Sequence, residues 1–214
     1  IVNMLYVRSS LERANESRRE MEAVNVKLLK QSETDQMTGL ANRYRLNAYS
    51  EKVLDYCYEH RLPLAMEILD IDFFKQYNDN YGHQQGDECI IAIANELKKM
   101  EDGQTFCARY GGDEFIIIYA GISAEEVHAK AGALRQNIMN LKLEHLYSKA
   151  LPIVTISQGI SYGVPEEGNR SWDFLHTADM LLYQVKKKSR NDICIADIRG
   201  QELDLSSKQE KVEP

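Results

Sequence analysis

The sequence predicts an α+β domain in which helices flank a central sheet, and three observations carry that prediction. Short apolar runs recur between breakers: LAMEILD after Pro63, TFCARY and FIIIY on either side of a glycine pair, LPIVTISQGISY, and DICIAD. Longer stretches with apolar residues at helical spacing separate most of them. Gly111-Gly112-Asp113-Glu114 joins the two middle runs, and glycine's access to positive φ suits it to a hairpin turn.

Residues 1–34 hold no Gly or Pro and many charges. With Met4, Leu11, Arg18 and Asn25 at heptad position a, the d positions are Val7, Ala14, Met21 and Leu28. That spacing predicts a coiled-coil helix pairing with its own copy, with polar Arg18 and Asn25 fixing register at a cost in stability. The alternative is a single amphipathic helix lying on its own domain. Asp35 is expected to cap the Thr38-Gly39 turn, and Asn42 to N-cap a helix reaching about His60. The first strand, Leu64–Asp70, leads to a helix over 73–80 that breaks at Tyr81-Gly82. A longer helix over 86–100 carries Ile90, Ile93, Ala94 and Leu97 on one face.

After the hairpin, a helix is expected from Ser123 to about Leu146. A long strand follows, in which Ile153 to Ile156 are all β-branched. Ser171 is expected to cap a helix running to about Lys188, and DICIAD closes as a strand. The order β-α-α-β-β-α-β-α-β is that of a ferredoxin-like antiparallel sheet with an insertion, helices lying on one face. The expected domains are a signalling helix over 1–34, the α+β domain over 35–198, and a polar, disordered tail over 199–214.

Length, at 214 residues, allows one substantial core, and 43% apolar with 28% charged residues is an ordinary globular balance. A formal charge of −7 argues against a general nucleic-acid coat, while leaving room for a local phosphate site. Cys57, Cys89, Cys107 and Cys194 form no CxxC pair and read as small buried hydrophobes in a reducing compartment. No run reaches the ~18 apolar residues of a membrane span. IVNMLYV is too short, and lacks the basic flank, for a signal peptide. The start at Ile1 suggests a cytoplasmic piece of a longer protein whose preceding part holds a sensor or a membrane anchor.

Asp113 and Glu114 stand directly against an apolar run, an expensive place for two adjacent charges unless something neutralises them. Asp70 and Asp72 close the first strand, which neighbours the hairpin in such a sheet. Carboxylates converging from two strands make a hard-oxygen site suited to Mg²⁺ or Mn²⁺ and to phosphoryl chemistry. The bland alternative is that these acids solvate a turn and a strand end. Gly111-Gly112 leaves the hairpin bare for a flat ligand or a phosphate. Lys75 follows the first strand, and Lys186 and Arg190 are spaced i, i+4 on the last helix.

The stretch RYGGDEF resembles the signature of the GGDEF-domain diguanylate cyclases, bacterial enzymes that make cyclic di-GMP. DQMTGLANR, LDIDFFKQYNDNYGHQQGD, TISQGIS and ADMLLYQVKKKSRN match further family stretches in the same order, together covering residues 35–197. The resemblance implies a palm-type nucleotidyl cyclase fold binding GTP and two Mg²⁺ (or Mn²⁺) ions per site. It implies that Asp70, Asp113 and the Ile71 carbonyl bind metal, and that Glu114 is either a further ligand or the base for the 3′-hydroxyl. Phe73 and Phe74 then hold phosphates through backbone N–H groups, with Lys75, Lys186 and Arg190 assisting, and Gly111 and Gly112 lie against the nucleotide. Asn78 and Asp87 match the guanine readers. A carboxylate accepts both N–H donors of guanine's Watson–Crick edge, which adenine does not offer, so Asp87 favours GTP. A serine found here in some relatives goes with relaxed base choice. An Asx turn at Asn78 and an N-cap at Asp87 are compatible structural roles. Asp72 either stands behind the metal ligands or caps the next helix, and His83 reads as structural.

One departure stands out. The RxxD motif of product inhibition would place its arginine and acid at Asp102 and Thr105, so inhibition through that site is not expected. Two GTP sites must face each other to make the product, so the expected catalytic unit is a homodimer, with an upstream sensor and no nucleic-acid partner. The alternative of another class is a catalytically silent module that binds GTP or cyclic di-GMP; a purely dimerising domain leaves the acids and bases unexplained.

Overall fold

The computed structural model describes Asn15, Glu16, Arg18, Arg19, residues 33–201 and Leu203. Two units divide the chain, Ile1–Thr34 and Asp35–Pro214. In the first, the four described residues between 15 and 19 are helical and exposed; the other heptad positions lie outside the described residues, as does most of the polar tail. Among the described residues no helix is long and apolar enough to cross a membrane.

In the second unit, Asn42 caps α1 (Arg43–His60) by accepting from the Arg45 N–H. Strand β1 (Leu64–Ile71) follows, buried at all eight positions, then α2 (Phe74–Tyr81) and α3 (His83–Met100). The hairpin strands are β2 (Thr105–Gly111) and β3 (Glu114–Ala120). A Ser123–Glu126 capping box opens α4 (Ala124–Asn140), and β4 (Ile156–Gly163), α5 (Ser171–Lys188) and β5 (Ile193–Asp197) complete the domain.

The sheet order is β2-β3-β1-β4-β5, antiparallel except for the parallel β4–β5 pair. The first four strands keep the ferredoxin-like arrangement, with β1 in the centre. Helices cover both faces, not one. Ala65, Leu69 and Ile71 face α3 and α4, whereas Leu64, Met66 and Ile68 face α1 and α5. Alternation along a central strand buried at every position gives each face its own core.

Several boundaries differ from the sequence reading for local reasons. Helix α3 begins at His83, three residues early, and α4 ends at Asn140. The β-branched residues 153–155 leave the sheet: Val154 donates to the Leu143 carbonyl, and Glu144 bridges Ile153. Ser171 is the first helical residue rather than the cap. Its hydroxyl donates to Glu51, while the Arg170 N–H donates to Asp173. Cys57, Cys89 and Cys107 are buried and Cys194 is half-buried.

Candidate active site

The site is built at the C-terminal end of β1, where the chain passes between its two neighbours. Register pairs Asp70 with Glu114 on β3 and with Ser157 on β4. Asp70 is 8% exposed and faces α5, whose Lys186 Nζ lies 2.7 Å from its Oδ2. Burial pushes Asp70 up to about 6, aided by the charges of Asp113 and Glu114 and opposed by Lys186. Glu114 is also raised, by burial first and then by Asp113 and Asp179, with Lys186 opposing. Asp70 and Glu114 therefore share the Lys186 ammonium while Asp113 and Asp179 add negative charge beside them, so the local charge is only partly compensated.

Close packing of α5 makes the Lys186 contact possible. A Cβ on Gly159 would lie 2.2 Å from the Ala178 carbonyl oxygen and 2.3 Å from the Leu182 nitrogen, so only glycine allows this helix–sheet approach. Arg190, however, does not share a helical face with Lys186. Helix α5 ends at Lys188, and Arg190 has a φ of +52°. Its guanidinium lies 4.3 Å from the Phe73 ring centroid and 3.5 Å from Asp72.

The hairpin is held from outside the site. Arg109 donates to the Gly112 carbonyl through NH2 at 2.8 Å and Nε at 3.2 Å, and to Asp35 through NH1 at 3.2 Å. Asp35 also accepts from the Thr38 N–H and hydroxyl, so the expected turn cap doubles as a tie to the hairpin. These hydrogen bonds outweigh Asp35's burial and lower its pKa. Gly112 has a φ of +54°, and nothing lies within 4 Å of where a Cβ on Gly111 or Gly112 would sit. The turn presents bare backbone to an open space. Glu114 lines two adjoining hollows of about 200 and 240 Å³, shared with Tyr110, Trp172, Asp179, Tyr183 and Lys186.

Asp72 is fully buried and does not cap the next helix. It accepts from Thr155 Oγ1 at 2.8 Å, Ser157 Oγ at 2.7 Å and the Asn191 N–H at 2.9 Å, binding three segments together. The residue before α2 is Phe73, left-handed at φ +57°, with no side-chain cap. Phe74 is buried and Lys75 exposed in the first turn of α2.

Asn78 and Asp87 lie inside α2 and α3, so the Asx-turn and N-cap roles do not apply. The helices meet at Asn78 and Gly86, where a Cβ on Gly86 would fall 1.9 Å from Asn78 Oδ1. That Oδ1 is buried without a hydrogen-bond partner, while Asp87 is exposed. His83 is exposed at the start of α3. At the place of the missing RxxD pair, Lys130 Nζ lies 2.8 Å from Asp102 and 3.1 Å from Thr105 Oγ1. The Lys130 hydrogen bond holds Asp102 down at about 2.

Among the described residues no three His, Cys, Asp or Glu side chains cluster closely enough to hold a cation unaided. Asp70, Asp113 and Glu114 with the Ile71 carbonyl offer only hard oxygens. Mg²⁺ commonly takes one or two carboxylates and completes its shell with substrate phosphates and water, so this donor set fits a cation bound together with a nucleotide. Sequence reasoning missed three residues that shape the site: Gly86, Gly159 and the buried His145, which bonds the Phe73 carbonyl.

Comparison with known proteins agrees with this fold. The family model described as "Diguanylate cyclase, GGDEF domain" matches residues 32–192. The probable diguanylate cyclase DgcC of Escherichia coli K12 is 35% identical over 163 residues, 75% of this chain and 42% of the relative. PleD of Caulobacter vibrioides, a response regulator, is 31% identical over 160 residues, 75% of this chain and 35% of that protein. This chain thus spans less than half the length of these curated relatives. Among solved structures, the coiled coil and GGDEF domain of DgcB from Caulobacter crescentus, in complex with c-di-GMP, superposes with a TM-score of 0.72 at 26% identity. The match covers 89% of this chain and 99% of that one. The active GGEEF domain of a Vibrio cholerae diguanylate cyclase matches with a TM-score of 0.62 at 30% identity, covering 73% and 97%.

Proposed function

The chain belongs to the GGDEF family of diguanylate cyclases, and from that premise we propose that it condenses two GTP molecules into cyclic di-GMP and two pyrophosphates. The observation that carries this reading is the cross-strand pairing of Asp70 with Glu114, beside Lys186 and under the bare glycine turn. Phe73 and Phe74 N–H groups, Lys75, Lys186 and Arg190 hold the triphosphate. Gly111 and Gly112 let the nucleotide lie against the hairpin, and Asn78 and Asp87 read guanine. Asp70, Asp113, Glu114 and the Ile71 carbonyl hold divalent cations, Mg²⁺ or Mn²⁺, two per site. Bound there, such ions neutralise charge on the phosphates and polarise the reacting phosphorus.

Each 3′-hydroxyl oxygen forms a bond to the α-phosphorus of the other copy's nucleotide, the bond to pyrophosphate breaks, and the hydroxyl proton leaves to a base. Glu114 serves either as that base or as a cation ligand. Because each copy supplies one nucleotide, the catalytic unit is a homodimer. The greater length of the relatives leaves room for an upstream sensor in the parent protein, with or without a membrane anchor.

The test is incubation with GTP and Mg²⁺ followed by product identification. Cyclic di-GMP is expected, with Glu114→Gln lowering its formation by about 100-fold or more. GTP that binds but is recovered intact would instead mark a silent nucleotide-binding module.

A further inference from the structure

His145 belongs to none of the proposed ligand sets, yet it is fully buried and bonded to the loop that follows β1. Its Nε2 lies 3.1 Å from the carbonyl oxygen of Phe73. A carbonyl only accepts, so Nε2 carries the proton and donates. Nδ1 is buried and has no partner, which fits a neutral ring held for one bond. The ring meets Tyr77 edge-on at 5.1 Å, and the backbone N–H of His145 donates to the Pro152 carbonyl. The strap after α4 is thereby fastened to the start of α2; it is tied again where Leu146 N–H donates to the Tyr81 hydroxyl at 3.0 Å.

The atom that His145 grips is mechanically informative. Phe73 is a bulky residue at φ +57°, a conformation that persists only where its surroundings hold it. The Phe73 carbonyl and the Phe74 N–H belong to one planar trans peptide and point in opposite directions. The oxygen also accepts from the Tyr77 N–H at 3.0 Å, and fixing it between that N–H and His145 turns the Phe74 N–H the other way. As a first-turn donor of α2, that N–H has no intrahelical acceptor. On the other side of the residue, Arg190 covers the Phe73 ring.

We infer that His145 is a positioning residue for the triphosphate: by holding the Phe73 carbonyl it aims the free Phe74 N–H at the nucleotide's phosphates. This rests on the reading that the Phe73–Phe74 backbone takes phosphate. It predicts a defect specific to phosphates rather than to the base.

The experiment is titration calorimetry with Mg²⁺, using GTP bridged by an α,β-methylene group, which does not turn over, and guanosine as the phosphate-free control. Wild-type protein is compared with His145→Phe, which keeps a ring and loses the donor, and His145→Gln, which keeps an N–H donor. The Phe variant is expected to bind the analogue about 10-fold more weakly and guanosine unchanged, with the Gln variant within about 3-fold of wild type. Should the Phe variant not fold, the Phe74 amide resonance of the wild-type protein decides. It is expected to shift with the analogue and not with guanosine; a resonance indifferent to both overturns the inference. Equal weakening of both ligands by His145→Phe, or of neither, overturns it while leaving the GTP reading standing. Wild-type protein that binds neither ligand overturns both.

Discussion

Gly86 lacks a side chain at the point where Asn78 needs the room. Any Cβ there would sit 1.9 Å from Asn78 Oδ1, so Gly86→Ala must push the amide away. Alanine inside α3 ordinarily stabilises a helix by about 1 kcal/mol, so the loss should appear in binding rather than in folding. Fluorescence or calorimetric titration is expected to show GTP affinity falling about 10-fold, with little change in melting temperature; unchanged affinity refutes it. The resemblance proposed Asn78 and Asp87 as base readers but gave no sign of Gly86, because a glycine's value here depends on what another helix presses against it.

Glu67 is a second residue hidden from sequence reasoning, since it sits within the apolar run LAMEILD. It is fully buried, accepting from the Tyr119 hydroxyl at 2.7 Å and from Gln158 Nε2 at 2.7 Å. Burial pushes it up to about 7, from 4.5 in the open chain, against the lowering effect of both hydrogen bonds. A raised carboxylate contributes its full stability below about pH 4.5 and loses it as pH rises through about 7. Glu67→Gln removes this titration, and the unpartnered Gln158 Oε1 can accept from the new amide. Relative to that variant, wild-type stability is expected to fall by about 2 to 3 kcal/mol between pH 5 and pH 8 in urea unfolding. A gap that stays constant with pH contradicts the assignment.

Helix α5 shows how far periodicity reaches. Its span to Lys188 follows from the apolar spacing, but its cap and the placement of Arg190 do not. Ser171 looks like a cap yet bonds Glu51, and Arg190 looks helical yet lies beyond the terminus with positive φ. Both outcomes are tertiary: a partner 120 residues away takes the serine, and Asp72 with Phe73 holds the arginine. Likewise, β-branched 153–155 have strand propensity, but Ile153 and Val154 pair with the 143–145 strap and Thr155 bonds Asp72. Gly159 in TISQGIS sets the depth at which α5 packs. Gly159→Ala is expected to cost about 2 to 3 kcal/mol in denaturant unfolding and to lower GTP turnover by moving Lys186 from Asp70. Wild-type stability in that variant would contradict the close-packing account.

At the scale of the molecule, the αβ order and the central place of β1 were readable from the alternation of runs, whereas the second helical layer was not. A strand whose eight residues are all buried gives no sign of which face each helix takes. The missing RxxD pair was visible as an absence, and the structure adds that Lys130 occupies its place. Cyclic di-GMP is therefore not expected to inhibit through Asp102 and Thr105; tight inhibition lost on Lys130→Ala would contradict this. On the proposed reading each copy supplies half of a reaction centre, so turnover depends on encounter. The most direct test is specific activity with GTP and Mg²⁺ across a dilution series of the chain and of a version beginning near Asp35. Cyclic di-GMP formation per mole of protein is expected to rise with concentration, and the shortened version should fall off sooner on dilution. GTP recovered intact at every concentration, or equal specific activity throughout for both, would contradict a cyclase assembled from two copies.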